Sequence, residues 1–289
     1  MARVSAGSLL LALACSPAKT SAPAPVGKPA PAIAATAPPV PSADTGATND
    51  ADAAPAAAPT PEAACDRGDG AACVRAGRGY AYGNGVPKDE ARAAALFEHG
   101  CRARHAEACI EAAAMHAFGK GVGEDQAKAN TLYRAGCDAG DAGACLCLAR
   151  RYDEARGAKQ DEAEAAKLYA KACEVANVSG PCTGVKLACS YVAERYWLGR
   201  GVAKDAAKAA EYFSRSCEQS DYAACAQLGA IYESGPLKND AKAAELLSGV
   251  CYNGYPDACA RAARYYRSGE GVAKDAKRAE ELEAQGRAR

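Results

Sequence analysis

Apolar side chains in the C-terminal part of the chain recur at helical spacing, as the segment ACSYVAERYWLG illustrates. Val192, Ala193 and Tyr196 fall on one face of a helix with the usual period of about 3.6 residues. Gly199 follows, and glycine is the residue that most readily adopts the left-handed conformation at which helices end. The segment therefore predicts a helix that buries one face and stops at this glycine.

A second helix is predicted directly downstream. The turn RGVAK leads to Asp205, whose carboxylate can accept hydrogen bonds from the free amides of a helix N-terminus. In the segment AAKAAEYFSRSC, Ala209, Tyr212 and Phe213 share the inner face. Together the two segments predict a helix–turn–helix unit.

This unit is repeated along the chain, and couples of cysteines mark every copy. The first cysteines of successive couples are spaced by 36, 36, 36, 44 and 34 residues, where an eight-residue insertion between Cys173 and Cys189 explains the 44. A fixed period of this length is typical of repeat architectures. We therefore expect an all-α fold, an α-solenoid of about six disulfide-stapled helix–turn–helix repeats, over residues 63–289.

Three further positions recur in register with the cysteines. Glycine is expected to end the first helix at Gly83, Gly119, Gly199, Gly235 and Gly269. A capping side chain is expected before the second helix at Asp89, Asp125, Asp161, Asp205, Asn239 and Asp275. A buried ring is expected at Tyr80, His116, Tyr152, Tyr196, Tyr232 and Tyr266. The third unit has Ala155 and Ala158 in place of the first turn glycine and the valine, so its turn departs from the repeat pattern.

Composition and charge narrow the functional classes. The 35 basic and 35 acidic residues balance, which gives no electrostatic reason to bind nucleic acid. Only 6% of the residues are aromatic and much of the apolar remainder is alanine, so the core must be thin and helical. Fifteen cysteines are too many for a reducing cytosol unless they bind metal, and their spacing is not that of metal sites.

The turns and second helices carry a family resemblance. The segments GNGVPKD, GRGVAKD with AAKAAEYF, and GEGVAKD resemble Sel-1-like repeats, which are relatives of the tetratricopeptide repeat. A cysteine couple in every unit is similar to the Hcp-like cysteine-rich bacterial proteins. The resemblance covers nearly all of residues 63–289 in six copies and implies the fold.

The cysteines could pair in two ways. The end of each second helix lies near the start of the first helix of its own unit and also near the start of the first helix of the next unit. Pairing across 27 residues would leave Cys65 and Cys259 unpaired, whereas pairing within each couple uses all twelve framework cysteines. The Hcp-like resemblance implies the same choice. The expected pairs are Cys65–Cys73, Cys101–Cys109, Cys137–Cys145, Cys173–Cys189, Cys217–Cys225 and Cys251–Cys259.

Two cysteines lie outside this framework. Cys147 occupies a first-helix position that is polar or charged in most other units, so we expect it to face solvent, and Cys182 lies in the insertion. In an oxidising compartment the simplest outcome is a seventh disulfide between them. A metal or redox role is the weaker alternative, because Cys145 and Cys147 are too close in sequence to supply a tetrahedral site alone.

The N-terminus predicts export. Residues 1–14 combine Arg3 with a short apolar run that is typical of a secretory signal, and the small residues before Cys15 resemble the lipobox of bacterial lipoproteins. The alternative is an ordinary cleavage site. Residues 15–62 are rich in alanine and proline and predict a disordered tether. We expect a lipid-anchored protein of the bacterial cell envelope, with the outer membrane or periplasm favoured and secretion as the alternative.

No catalytic constellation is recognisable. His99, His105 and His116 lack metal-ligand spacing, and we expect no metal and no cofactor. The string from Ser16 to Lys19 matches the catalytic tetrad of serine β-lactamases, but a proline-rich tether cannot preorganise a nucleophile. β-Lactam binding or weak β-lactamase activity, which the Hcp-like resemblance implies, is therefore the alternative to a scaffold.

Stacked first helices should line a concave groove, and binding there is the favoured function. We expect the partner to be a protein, a peptide or a peptidoglycan fragment, and the protein to be a monomer. Arginine and aromatic residues are enriched at interfaces. The outward positions predicted to form the groove are Arg75, Arg78, Glu111, Arg150, Arg151, Tyr191, Glu194, Arg195 and Trp197.

Overall fold

The computed structural model describes residues 60–175 and 187–288, so the signal, the tether with Cys15, Ser16 and Lys19, and the insertion with Cys182 lie outside the described residues. The described residues form helices and turns without a strand. The helices are α1 (Pro61–Asp66), α2 (Gly70–Tyr82), α3 (Glu90–Arg102), α4 (Ala106–Phe118), α5 (Gln126–Asp138), α6 (Ala142–Asp153), α7 (Glu162–Glu174), α8 (Ala188–Leu198), α9 (Ala206–Glu218), α10 (Tyr222–Glu233), α11 (Asp240–Tyr252), α12 (Pro256–Ser268) and α13 (Ala276–Arg287).

Six helix pairs follow one another, which confirms the predicted solenoid. The even-numbered helices from α2 to α12 are the first helices of the repeats and are called helices A below; the odd-numbered helices from α3 to α13 are helices B. Each helix packs mainly on its neighbours in sequence. The short α1 carries Cys65 and takes the place of the end of a helix B before the first repeat.

The helix ends follow the predicted signals with two exceptions. All six predicted caps accept a hydrogen bond from the amide three residues later. Four of the five glycines are left-handed C-caps, whereas α10 ends one residue earlier, with Ser234 as its cap. In the third repeat Ala155 itself takes a positive φ of 56°, which is a strained angle for alanine.

The second glycine of the turn holds neighbouring repeats together as well as breaking the helix. A Cβ on Gly121 would lie 2.2 Å from the carbonyl carbon of Glu90, and one on Gly201 would lie 2.1 Å from the carbonyl oxygen of Glu162. Both contacts are with the start of the preceding repeat's helix B. Any larger residue would push the two repeats apart.

The core is made largely of alanines, with one buried ring on each of the first four helices B. Phe97, Tyr133, Tyr169 and Phe213 stand four residues before the helix-B cysteine, and all four are buried. The rings predicted to be buried on helices A are half-buried instead, except His116. The largest continuous cluster lies in the middle of the solenoid, around α6.

Disulfides join each helix B to the next helix A. The six framework pairs are those expected from the sequence, with Cα–Cα distances between 4.4 and 4.8 Å. Cys147 is disulfide-bonded, and its expected partner Cys182 lies outside the described residues. The expectation that Cys147 faces solvent is wrong, since it is fully buried on α6. Among the described residues, no helix is long and apolar enough to cross a membrane.

Candidate functional site

The predicted groove residues fall into two groups. Arg75 and Glu194 are exposed, and Arg78, Glu111, Tyr191 and Trp197 are half-buried. The prediction that Arg150, Arg151 and Arg195 face outward is wrong, because they are only 5%, 6% and 7% exposed.

Repeat register explains the error for two of the three arginines. Arg151 and Arg195 stand six residues after the first cysteine of their helix A, where the second and fifth repeats place Met115 and Ile231 in the core. Arg150 occupies a repeat position that faces outward elsewhere, but in the third repeat the face of α6 that carries it is buried.

In the accessible part of the predicted groove, ion pairs connect the helices A of the first two repeats. Arg78 of α2 reaches Glu111 of α4 at 2.6 Å and Glu107 at 2.7 Å. Burial acts to lower the pKa of Arg78, but the two carboxylates outweigh this effect and raise the pKa above its ordinary value. This arrangement fixes the relative position of the two helices A beside the cavity described next.

A cavity of about 200 Å³ opens between the first and second repeats. We call it the first pocket. It lies where the C-terminal ends of α2 and α4 meet the start of α3. Its lining residues are Ala81, Tyr82, Lys88, Glu90, Phe97, Glu111, Ala114, Met115, Phe118 and Lys120.

The first pocket has an apolar floor and an aromatic rim. Phe97 and Met115 are buried beneath it, and the small Ala114 leaves the space open. Tyr82 and Phe118 are 57% and 40% exposed, and each is the last residue of its helix, next to a turn. Two exposed rings beside a cavity are the kind of surface that marks an interaction site.

Most charges around the first pocket are already paired. Lys88 contacts Glu90 at 2.7 Å, and Glu111 is held by Arg78. Lys120 lines the same cavity and has no ion-pair partner within residues 60–175 and 187–288. One positive charge is therefore left without a counter-charge at the rim.

The same ten positions of the third and fourth repeats form a different structure, which we call the central cluster. Asp153 and Arg195 replace Ala81 and Met115, and they form an ion pair beneath the surface. The hydroxyl of Tyr169 donates to Asp153 at 3.0 Å, and the Arg195 guanidinium lies 5.0 Å from the Tyr169 ring centroid. Tyr191 packs on Tyr169 with ring centroids 5.0 Å apart.

The hydrogen bonding of the central cluster is incomplete. Nε and Nη1 of Arg195 and Oδ1 of Asp153 are buried with no hydrogen-bond partner in the described parts of the chain. Burial raises the pKa of Asp153 in spite of the opposing charge of Arg195, and it also raises the pKa of Tyr169. The cluster thus places an ion pair at the positions where the first pocket has Ala81 and Met115.

The remaining histidine and cysteine cluster does not form a metal site. Cys65, Cys73 and His99 place potential ligand atoms within 4.8 Å of one another, but the two cysteines form a disulfide and cannot act as thiolates. A more open cavity of about 370 Å³ lies beside His99. Arg92 and Glu62, which also line this cavity, form an ion pair with an N–O distance of 2.6 Å.

Comparison with known families agrees with the repeat register. The model of the Sel1 repeat matches residues 70–105, 106–141, 142–176, 186–221, 223–248 and 256–282. The chain belongs to the Sel1 repeat family. No curated protein matches the sequence.

Solved structures are similar to this Sel1 repeat chain over most of its length. A protective antigen of uropathogenic Escherichia coli strains, with an SLR fold, has a TM-score of 0.60 and 26% identity over 79% of this chain and 48% of its own. A Sel1 repeat protein from Oxalobacter formigenes has a TM-score of 0.51 and 26% identity over 79% of this chain and 90% of its own. This chain spans about half of the length of the antigen.

Sequence reasoning missed most of the first pocket, since only Glu111 was among the groove candidates. The missed residues include Tyr82, Phe118 and Met115. A signal was present: large apolar residues stand directly before the turn glycine at positions 82, 118 and 198, where a polar residue would suit the exposed end of a Sel1 helix.

Proposed function

We propose that this Sel1 repeat protein is an extracytoplasmic scaffold that binds an extended segment of a partner protein along helices A, with the first pocket as the anchor point. Sel1 repeat proteins typically mediate protein–protein interactions. The many disulfides suggest an oxidising location outside the cytoplasm. A monomer suffices for this role, because one chain supplies the whole pocket.

The observation that carries the proposal is the pair of exposed rings over an apolar cavity. The exposed Tyr82 and Phe118 line the cavity together with the buried Phe97 and Met115, so an inserted side chain would contact several apolar residues. Aromatic residues around a desolvated pocket contribute most of the free energy of many protein interfaces.

The size of the cavity favours a peptide side chain over a separate small molecule. Pockets for small ligands usually measure about 300–1,000 Å³, whereas the first pocket measures about 200 Å³. The apolar floor supports an aliphatic or aromatic side chain from a protein rather than a sugar of peptidoglycan. Binding of a chain segment would also let neighbouring residues contact Arg75 and Glu111 along the groove.

Site-specific photo-crosslinking tests the proposal in the native envelope. A photoreactive phenylalanine replaces Tyr82 in one variant and Tyr252 in another, since Tyr252 is similarly exposed, at 42%, but lies at the end of α11 in the fifth repeat. We expect a protein adduct at position 82, with the crosslinked peptide identified by mass spectrometry, and no such adduct at position 252. The adduct should disappear when Phe118→Ala is added. Equal adducts at both positions would contradict a specific groove.

The N-terminus is proposed to anchor the scaffold through lipidation of Cys15, which lies outside the described residues. The small residues before it and the proline-rich stretch after it support this proposal. We expect Cys15→Ser to move the protein from the membrane fraction to the soluble fraction. Unchanged membrane recovery would contradict lipidation.

No observation favours the β-lactamase alternative. Ser190 and Ser216 donate hydrogen bonds to Asp221 at 2.5 and 2.9 Å, and Asp221 also caps α10. A carboxylate occupied with capping a helix is a structural partner of these serines. Turnover of a chromogenic cephalosporin by the oxidised protein would overturn the scaffold proposal, and we expect none above buffer.

A further inference from the structure

The unpaired Lys120 indicates what kind of segment enters the first pocket. This inference rests on the proposed function and adds the chemistry of the partner. Lys120 belongs to the turn that follows α4 and lines the cavity next to Phe118. Its position in the repeat makes it comparable with basic residues in two other turns.

In the next two repeats the chain itself supplies the counter-charge. The equivalent residue in the third repeat is Arg156, which contacts Glu154 at 2.7 Å. In the fourth repeat it is Arg200, which contacts Glu162 of the preceding helix B at 3.0 Å. A carboxylate beside this position of the turn is thus a recurring arrangement in this molecule.

In the second repeat, neither source of this carboxylate pairs with Lys120. The residue equivalent to Glu154 is Phe118, and the residue equivalent to Glu162 is Glu90. Glu90 is already paired with Lys88 at 2.7 Å. The remaining carboxylate of the pocket, Glu111, is held by Arg78 at 2.6 Å.

We propose that the occupant of the first pocket is a partner segment in which an apolar side chain is directly adjacent to an acidic residue. The apolar side chain inserts between Tyr82 and Phe118. The carboxylate pairs with Lys120, in the way that Glu162 pairs with Arg200. A basic residue at the same place would meet Lys120 without a free carboxylate to offset the repulsion.

Three defined peptides test the proposal by titration of the full-length oxidised protein. Each is a Gly-Ser decapeptide with one central leucine, followed by aspartate, serine or lysine. Because an exposed ion pair contributes up to about 1 kcal/mol, which is about a fivefold change in affinity, we expect the aspartate peptide to bind about threefold more tightly than the serine peptide. The lysine peptide should bind most weakly, and the differences should shrink in about 0.5 M salt.

Two variants separate the charge from the pocket. Lys120→Glu should reverse the order of the aspartate and lysine peptides, and the matched control Lys277→Glu, on the exposed face of α13, should leave it unchanged. Phe118→Ala should weaken all three peptides at least about tenfold, because it removes one wall of the pocket.

The outcomes distinguish this inference from the proposed function. If the three peptides bind equally and Phe118→Ala still weakens them, the pocket is a binding site and the acidic preference is wrong. If no leucine peptide binds, or Phe118→Ala has no effect, both proposals are wrong. If Lys277→Glu changes the order as much as Lys120→Glu, the preference comes from the overall charge and the inference is also overturned.

Discussion

The first pocket and the central cluster occupy the same positions of the repeat and differ in what fills them. Ala81 and Met115 leave a cavity of about 200 Å³ between the first two repeats. At the equivalent place between the third and fourth repeats, Asp153 and Arg195 form an ion pair in which Arg195 is buried. The backbone is the same helix–turn–helix in both places, so the difference lies in the side chains at these positions, with Asp153 and Arg195 as the buried charged pair.

Removal of the acidic partner should have the largest effect on stability. Asp153→Ala leaves the buried Arg195 without its ion-pair partner, which costs about 3–5 kcal/mol in comparable cases. We expect about 3 kcal/mol, because Asp153 keeps 19% side-chain exposure. Urea unfolding followed by circular dichroism measures it, with hydrogen exchange of α8 as a local readout since repeats can unfold separately.

A matched control for this variant exists in the fifth repeat. Glu233 stands at the equivalent position with 18% side-chain exposure, but its partners Arg261 and Arg264 are 31% and 63% exposed. Glu233→Ala should therefore cost less than about 1 kcal/mol. Equal losses for the two variants would mean that burial of Arg195 is not what makes the central cluster sensitive.

The neighbouring Arg151 provides the next test, because it is better satisfied than Arg195. Its guanidinium donates to the side chain of Asn130 and to the carbonyl of Gln126, and the residue equivalent to Asn130 beneath Arg195 is Ala166. Asn130→Ala should cost about 1.5–3 kcal/mol, since a buried charged donor loses its acceptor. A loss below about 0.5 kcal/mol in the unfolding free energy would contradict this difference between the two arginines.

Exchange of both central residues should nearly cancel the large loss. Asp153→Ala with Arg195→Met installs the Ala and Met of the first pocket and removes the buried charge altogether. Replacement of a buried ion pair by apolar residues is often neutral or stabilising, so we expect an unfolding free energy within about 1 kcal/mol of the native protein. A double variant as unstable as Asp153→Ala alone would show that cavity formation outweighs the charge.

The smallest predicted effect is a difference in pH dependence. Partial burial acts to raise the pKa of Glu98, but hydrogen bonds from Lys128 and His116 outweigh it and lower the pKa. The contribution of Glu98 to stability is therefore present above its ordinary pKa of 4.5 and is lost as pH falls through the lower folded value. Burial raises the pKa of Asp153, so ionisation of Asp153 reduces stability as pH rises from 3.8 through its higher folded value.

These two signs can be measured against neutral variants. The stability of the native protein relative to Glu98→Gln should increase with pH in the acidic range, and its stability relative to Asp153→Asn should decrease. Slopes of the same sign would contradict the assignment.

The repeat register was predictable from the sequence, because it depends on local chemistry that recurs six times. Asp89 and Asp275 cap their helices as expected, and the cysteine couples close as the resemblance implied. Such signals need only a few neighbouring residues. The shortened turn after α10 and the left-handed Ala155 are the places where the local signal itself is irregular.

The site was harder to predict, because burial in a solenoid depends on contacts between repeats. Arginine is usually exposed, which favours an outward position for Arg151 and Arg195. In the structure their guanidinium groups instead lie over the rings of Tyr133 and Tyr169 on the preceding helices B. Alignment of these positions with Met115 and Ile231 would have revealed a core register. The cavity itself depends on the distance between two helices A, which no single repeat encodes.

The most direct test of the account is to close the first pocket with the residues of the central cluster. In Ala81→Asp with Met115→Arg, the new ion pair should fill the cavity, and the affinity for the leucine–aspartate peptide should fall at least about tenfold. The thermal unfolding curve and helical circular dichroism, measured on the same sample, should stay close to those of the native protein. An unchanged peptide affinity in a folded double variant would contradict the claim that these two positions decide where the scaffold binds.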